Sequence, residues 1–163
     1  MDVAHLLEES LKTNGFEIKY DWEWSTIPSV TSSAKPAASP IAADVQGGEA
    51  GDAFSTRLIS TGQLLTQDRF ITALVERGWQ FLRSDALGDP TGSAWTEAGT
   101  LDKRGHTEGW KLACSVETEV RDLCNRIGAL LKSGWTEVIV VTDHGWLLLP
   151  GRFAKSRIKV ISC

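Results

Sequence analysis

Two carboxylate–imidazole pairs carry the chemistry that these 163 residues suggest first. Asp143 and His144 are adjacent in EVIVVTDHGWLLLP, one residue past the apolar run Val138 to Val141, and Asp102 and His106 lie close together in LDKRGH. Aspartate oxygen and imidazole nitrogen are donors suited to zinc or a similar divalent ion. Neighbouring residues leaving a strand can both reach one ion only if the chain turns, and Gly145 gives it that freedom. Each pair also has an ordinary reading. Asp-x-Gly sequences end strands as turns, and a loop of Asp, Lys, Arg and His is commonly solvated surface. The chain has three histidines, and two of them sit in such pairs; the third, His5, belongs to a helical pattern near the N-terminus.

A third feature is STIPSVTSSAKP, residues 25–36, with six hydroxyl side chains, two prolines and a lysine. A threonine there could attack a phosphorus or sulfur centre. Unassisted, it is a poor nucleophile at neutral pH, so it needs a metal or a base, and the Asp/His pairs offer the metal. By composition alone, the Ser-, Ala-, Pro- and Gly-rich residues 25–52 read as a linker or surface loop.

The elements that must position these groups read as α/β. Val3, Leu6, Leu7 and Leu11 make one face of a first helix that stops at Asn14-Gly15. Phe16 to Trp24 alternates apolar and charged residues, as a strand with one wet face would. A second helix is predicted from Thr66 to Arg83, ending before the turn-rich GDPTGSAW, and a third from Trp110 to Lys132 with Gly134 just past its end. The third helix feeds the Val138 to Val141 strand, which gives half of a βαβ unit with the strand covered on both faces. Ligands of open α/β sheets bind beyond the carboxyl ends of the strands, where Asp143 and His144 fall. The seven tryptophans, Trp22, Trp24, Trp79, Trp110, Trp135 and Trp146 among them, fall mostly on apolar faces or at element ends and are expected to pack in the core.

The totals restrict partners. A net charge of -4 and a pI near 5.4, with basic residues scattered, leave no electrostatic footprint for nucleic acid. Cys114, Cys124 and Cys163 have no CxxC spacing and are expected to be reduced thiols. The longest apolar run is far too short for a membrane span, and no signal peptide is visible, so a cytoplasmic location is expected. Met1 is the single methionine and leads straight into a helix, while RIKVISC stops on an apolar strand pattern. Both ends therefore read as cut from a longer frame.

Taken in order, PSVT, DKRGH and TDHG resemble the alkaline phosphatase superfamily, in particular its phosphodiesterase-like branch. IPSVTSSAKPAASPIA and WTEVIVVTDHGWLLLPG are similar to the PglZ domain of bacterial BREX and Pgl phage-resistance systems, and the likeness extends over residues 1–163. It implies an alkaline-phosphatase-like sheet flanked by helices, with loop-rich residues 25–62 carrying the nucleophile. Thr31 would be that nucleophile, bridging two metals, with zinc as the expected ion. Asp102 and His106 would serve one ion, and Asp143 and His144 the other. Lys35 would meet a substrate oxyanion. The implied substrate is a phosphate or phosphodiester, and the implied partners are the methyltransferase and ATPase of the defence cluster. Such domains take a further aspartate from a strand expected upstream of Met1 and a third histidine from beyond Cys163; Asp2, at the start of a helix, is a poor substitute. The chain is thus expected to be a partial domain of reduced or no activity alone, and the alternative function is a non-catalytic remnant or scaffold that contacts other defence proteins.

Overall fold

The computed structural model describes residues 3–19, 26–48, 54–100, 103–104 and 115–142. Among them the chain forms α1 (Val3–Thr13), α2 (Thr31–Ala37), a 3-10 turn (Ala42–Asp44), β1 (Val45–Gly47), β2 (Thr56–Leu58), α3 (Gln67–Glu76), β3 (Trp79–Leu82), β4 (Ser93–Thr96) and α4 (Val116–Lys132). This is a mixed α/β arrangement with two small sheets. β1 pairs antiparallel with β2, Val45 opposite Leu58, and β3 pairs parallel with β4, Trp79 opposite Ser93. No described helix is long and apolar enough to cross a membrane.

Two apolar clusters hold these elements. In the first, the α1 stripe meets that of α4: Leu11, Val116, Val120, Cys124 and Ile127 are buried, and Leu6, Leu7, Phe16 and Val138 pack around them. Helix α1 ends where its periodicity breaks, with Gly15 in the left-handed region at φ +81°. The Cys124 thiol is free and buried and donates to Ser10 Oγ at 3.2 Å, as expected for a reduced cysteine. The second cluster contains Ile41, Phe70, Ala73 and Leu74, with Trp79, Phe81 and Trp95 packed against it. The connection between β3 and β4 reaches back to α4: Arg126 Nη2 donates to Ala86 O at 2.5 Å, and Trp135 Nε1 to Leu87 O at 2.7 Å.

Several expectations are corrected. The second helix does not run to Arg83. It starts at Gln67, where the Thr66 hydroxyl accepts from Arg69 N, and ends at Glu76, because Gly78 turns left-handed at φ +79° and Trp79 to Leu82 then pair as β3. Within the turn-rich GDPTGSAW, Ser93, Ala94 and Trp95 belong to β4. The supposed linker contains α2, the 3-10 turn and β1 and contributes the fully buried Ile41. Residues 16–19 are not in a strand, although Phe16 and Ile18 pack on the first cluster; residues 20–24 lie outside the described residues. Val138 to Val141 is likewise no strand: Val138 touches the first cluster, but Ile139 is 76% exposed. Apolar residues form a buried strand only with neighbours on both sides, and among the described residues none pairs there. The third helix is described from Val116, and Gly134 follows its end at φ +109°.

Three side-chain clamps complete the frame. Arg77 forks onto the Asp44 carboxylate, joining the end of α3 to the turn before β1, and holds that carboxyl below its usual range. The Gln80 carboxamide both donates to Asp89 O and accepts from Asp89 N, each at 2.8 Å. Glu119 on α4 accepts from the Thr100 amide at 3.0 Å, from the Thr100 hydroxyl, and from Arg104 Nη1 at 3.2 Å.

Candidate functional site

The site residues that fall within the described part of the chain are Thr31 and Lys35. They are four apart on α2, so they share one face of the helix. The local sequence explains why so short a helix forms. Ser33, at the third helical position, reaches back: its hydroxyl accepts from Val30 N at 3.4 Å and donates to Pro28 O. Pro36 has no N–H for the carbonyl four residues earlier. That carbonyl belongs to Ser32 and accepts instead from the Thr56 hydroxyl of β2, so the proline tolerated inside the helix also ties it to the sheet. Ser39 closes the far end by donating to Pro36 O at 2.7 Å. Ser33, Ser39 and Thr56 are all buried, so three of the hydroxyls hold the scaffold. Thr31 is exposed.

Thr31, Ser32, Lys35, Thr66, Gln67 and Phe70 line one cleft of about 160 Å³ between α2 and the start of α3. The Lys35 ammonium lies 4.8 Å from the centre of the Phe70 ring, donates to Gln67 Oε1 at 2.8 Å and pairs with Glu97 Oε1 at 2.6 Å. Gln67 Nε2 donates to the same Glu97 oxygen at 3.2 Å. Phe70 is buried and meets Trp95 edge-on, with ring centres 5.9 Å apart. Partial burial disfavours the charged form of Glu97. Hydrogen bonds from Lys35 and Gln67 and the Lys35 charge outweigh that, so its carboxyl is held below the usual range and is ionised at neutral pH.

Gln67, Phe70 and Glu97 escaped the sequence reading. Gln67 and Phe70 carried a signal, since they fall on successive turns at the start of a helix with a clear apolar face. Glu97 carried another: it directly follows β4, at the carboxyl end of a parallel strand, the position where α/β sheets place ligand-contacting groups. Reading GDPTGSAW as a break concealed that strand.

Asp102, His106, Asp143 and His144 lie outside the described residues. Their described neighbours are informative on one side only. Thr100 and Arg104 flank Asp102 in sequence, and both are tied to Glu119. The third histidine, His5, is exposed on α1 between Glu8 and Glu9, with nitrogen–oxygen distances of 3.7 and 3.3 Å. Among the described residues no three His, Cys, Asp or Glu side chains are grouped closely enough to hold a metal ion. No family model, curated protein or solved structure matches the chain.

Proposed function

We propose that the chain is a metal-dependent hydrolase of phosphate or phosphodiester bonds, built on an alkaline-phosphatase-like domain of the PglZ kind and acting in the cytoplasm in phage defence. The observation that carries this reading is that Thr31, an exposed residue, and Lys35 line one cleft within the segment whose motif suggests a nucleophile. Two carboxylates and two imidazoles, from Asp102, His106, Asp143 and His144, are a donor set that fits zinc. Zinc would supply the positive charge that makes a threonine hydroxyl acidic enough to react.

The chain's own residues would then act as follows. Thr31 Oγ loses its proton and forms a bond to phosphorus, while the bond from phosphorus to the ester oxygen breaks and its electron pair leaves with that oxygen, which takes up a proton. Lys35 donates to a non-bridging phosphoryl oxygen. Water then attacks the phosphothreonine ester, releases phosphate or a phosphomonoester and restores the hydroxyl.

The test is turnover of bis(4-nitrophenyl) phosphate by the zinc-supplemented chain and by T31A and D143A. Each substitution should lower kcat/KM by at least about a thousand-fold, and D143A should also lower zinc content. Unchanged turnover in T31A would remove the nucleophile and with it this reading. The exposed Ile139, Val140 and Val141 favour a second one, a scaffold that docks another defence-cluster protein such as the methyltransferase or ATPase.

A further inference from the structure

Lysine is usually placed at a phosphate site as a free point charge. Lys35 is not one. Two of its three N–H donors go to Glu97 and Gln67, and the ring of Phe70 lies beside it. Glu97 pairs with the ammonium from outside the residues that line the cleft, and it is ionised at neutral pH. The ammonium and the carboxylate therefore cancel. What the pair presents to the cleft is an N–H donor with no net charge, on a cleft also lined by Thr31, Ser32 and Thr66.

We propose that Glu97 is a specificity-determining residue that fixes Lys35 in place and cancels its charge, so that the cleft accepts a monoanionic phosphodiester and disfavours a dianionic phosphate group. This rests on the proposed hydrolase reading for the identity of the cleft, and it selects between the two ester classes that reading allows. The physical reason is an asymmetry in charge. A diester brings one negative charge, which the hydrogen bonds of the cleft can satisfy. A phosphomonoester or inorganic phosphate brings roughly half to one more at neutral pH and nearly one more at pH 8, and that extra charge feels the repulsion of Glu97, which cancels what Lys35 would otherwise offer it. Gln67 contributes by donating to Glu97 and accepting from Lys35, which aligns the pair without adding charge.

Binding can test this apart from turnover. Inorganic phosphate and dimethyl phosphate would be titrated at pH 8 into the chain and into E97Q, Q67E and K35A, with binding followed by NMR shifts and folding checked by circular dichroism. E97Q should tighten inorganic phosphate about five-fold, as expected for removing one charge a few ångströms away at intermediate dielectric, and leave dimethyl phosphate within about two-fold. Q67E adds a second carboxylate beside Lys35 and should shift phosphate the opposite way, so the proposal stays testable if E97Q does not fold. K35A should weaken both ligands. Equal effects of E97Q on the two ligands, or tighter phosphate binding in Q67E, would overturn the proposal. The readout is binding and not turnover, so failure of the Thr31 chemistry, seen as unchanged turnover in T31A, would leave the comparison of E97Q and Q67E with the unaltered chain intact and be recognised as separate.

Discussion

Glu119 shows how one carboxylate can organise a segment. Its oxygens gather the amide and hydroxyl of Thr100 and the guanidinium of Arg104. Burial opposes its ionisation, but these donors prevail and hold its carboxyl below the usual range. A depressed carboxylate pKa contributes stability that is present above the unfolded value of about 4.3 and is lost as pH falls through the folded value. E119Q should therefore melt below the unaltered chain at pH 7, and the gap should close as the pH drops beneath about 4. Thermal melts followed by circular dichroism between pH 7 and pH 3 would show it; a gap that persists at pH 3 would mean that the clamp does not depend on charge. If Asp102 ligates zinc, E119Q should also weaken zinc binding, because both flanks of that residue lose their anchor.

At the scale of elements, glycines set where α1, α3 and α4 stop. Gly78 and Gly134 both have positive φ, but a Cβ at Gly78 would meet nothing within 4 Å, whereas at Gly134 it would lie 3.2 Å from Pro90 Cγ. G78A should thus cost about 1 kcal/mol of backbone strain, and G134A more, because a proline ring yields little. Leu74, fully buried in the second cluster, should cost about 2–5 kcal/mol as L74A; urea denaturation measures all three. These elements also show how far the sequence was legible. Helices α1 and α4 were readable because their stripes recur over several turns and meet each other. The apolar pattern alone makes α3 too long, since Trp79, Phe81 and Leu82 continue its apolar character and only the positive φ at Gly78 separates them. The short strands had no readable period, and α2 was hidden because its support comes from Ser33 and from Thr56 of a distant strand. Thr31 and Lys35 could be singled out from their local sequence, whereas Glu97 required knowing that residues 93–96 form a strand.

At the scale of the whole molecule, polar bridges among the described residues link α4, which carries the first apolar cluster, to the segment after β3, whose strand packs on the second. The strip Ile139 to Val141 lies beside this junction in the chain and is exposed by 76, 42 and 47%. Such a patch favours self-association, so I139K and V141K should raise the concentration at which the chain stays monodisperse in light scattering, while shifting stability by no more than about 0.5 kcal/mol, as for other surface changes. The Gln80 carboxamide has the last consequence. By offering one donor and one acceptor to the Asp89 backbone, it imitates the peptide group of a neighbouring strand. A surface connection thereby acquires the hydrogen-exchange behaviour of a sheet: the Asp89 amide, on an exposed residue, should trade its proton for deuterium slowly, and in Q80A it should do so at the rate of an open loop.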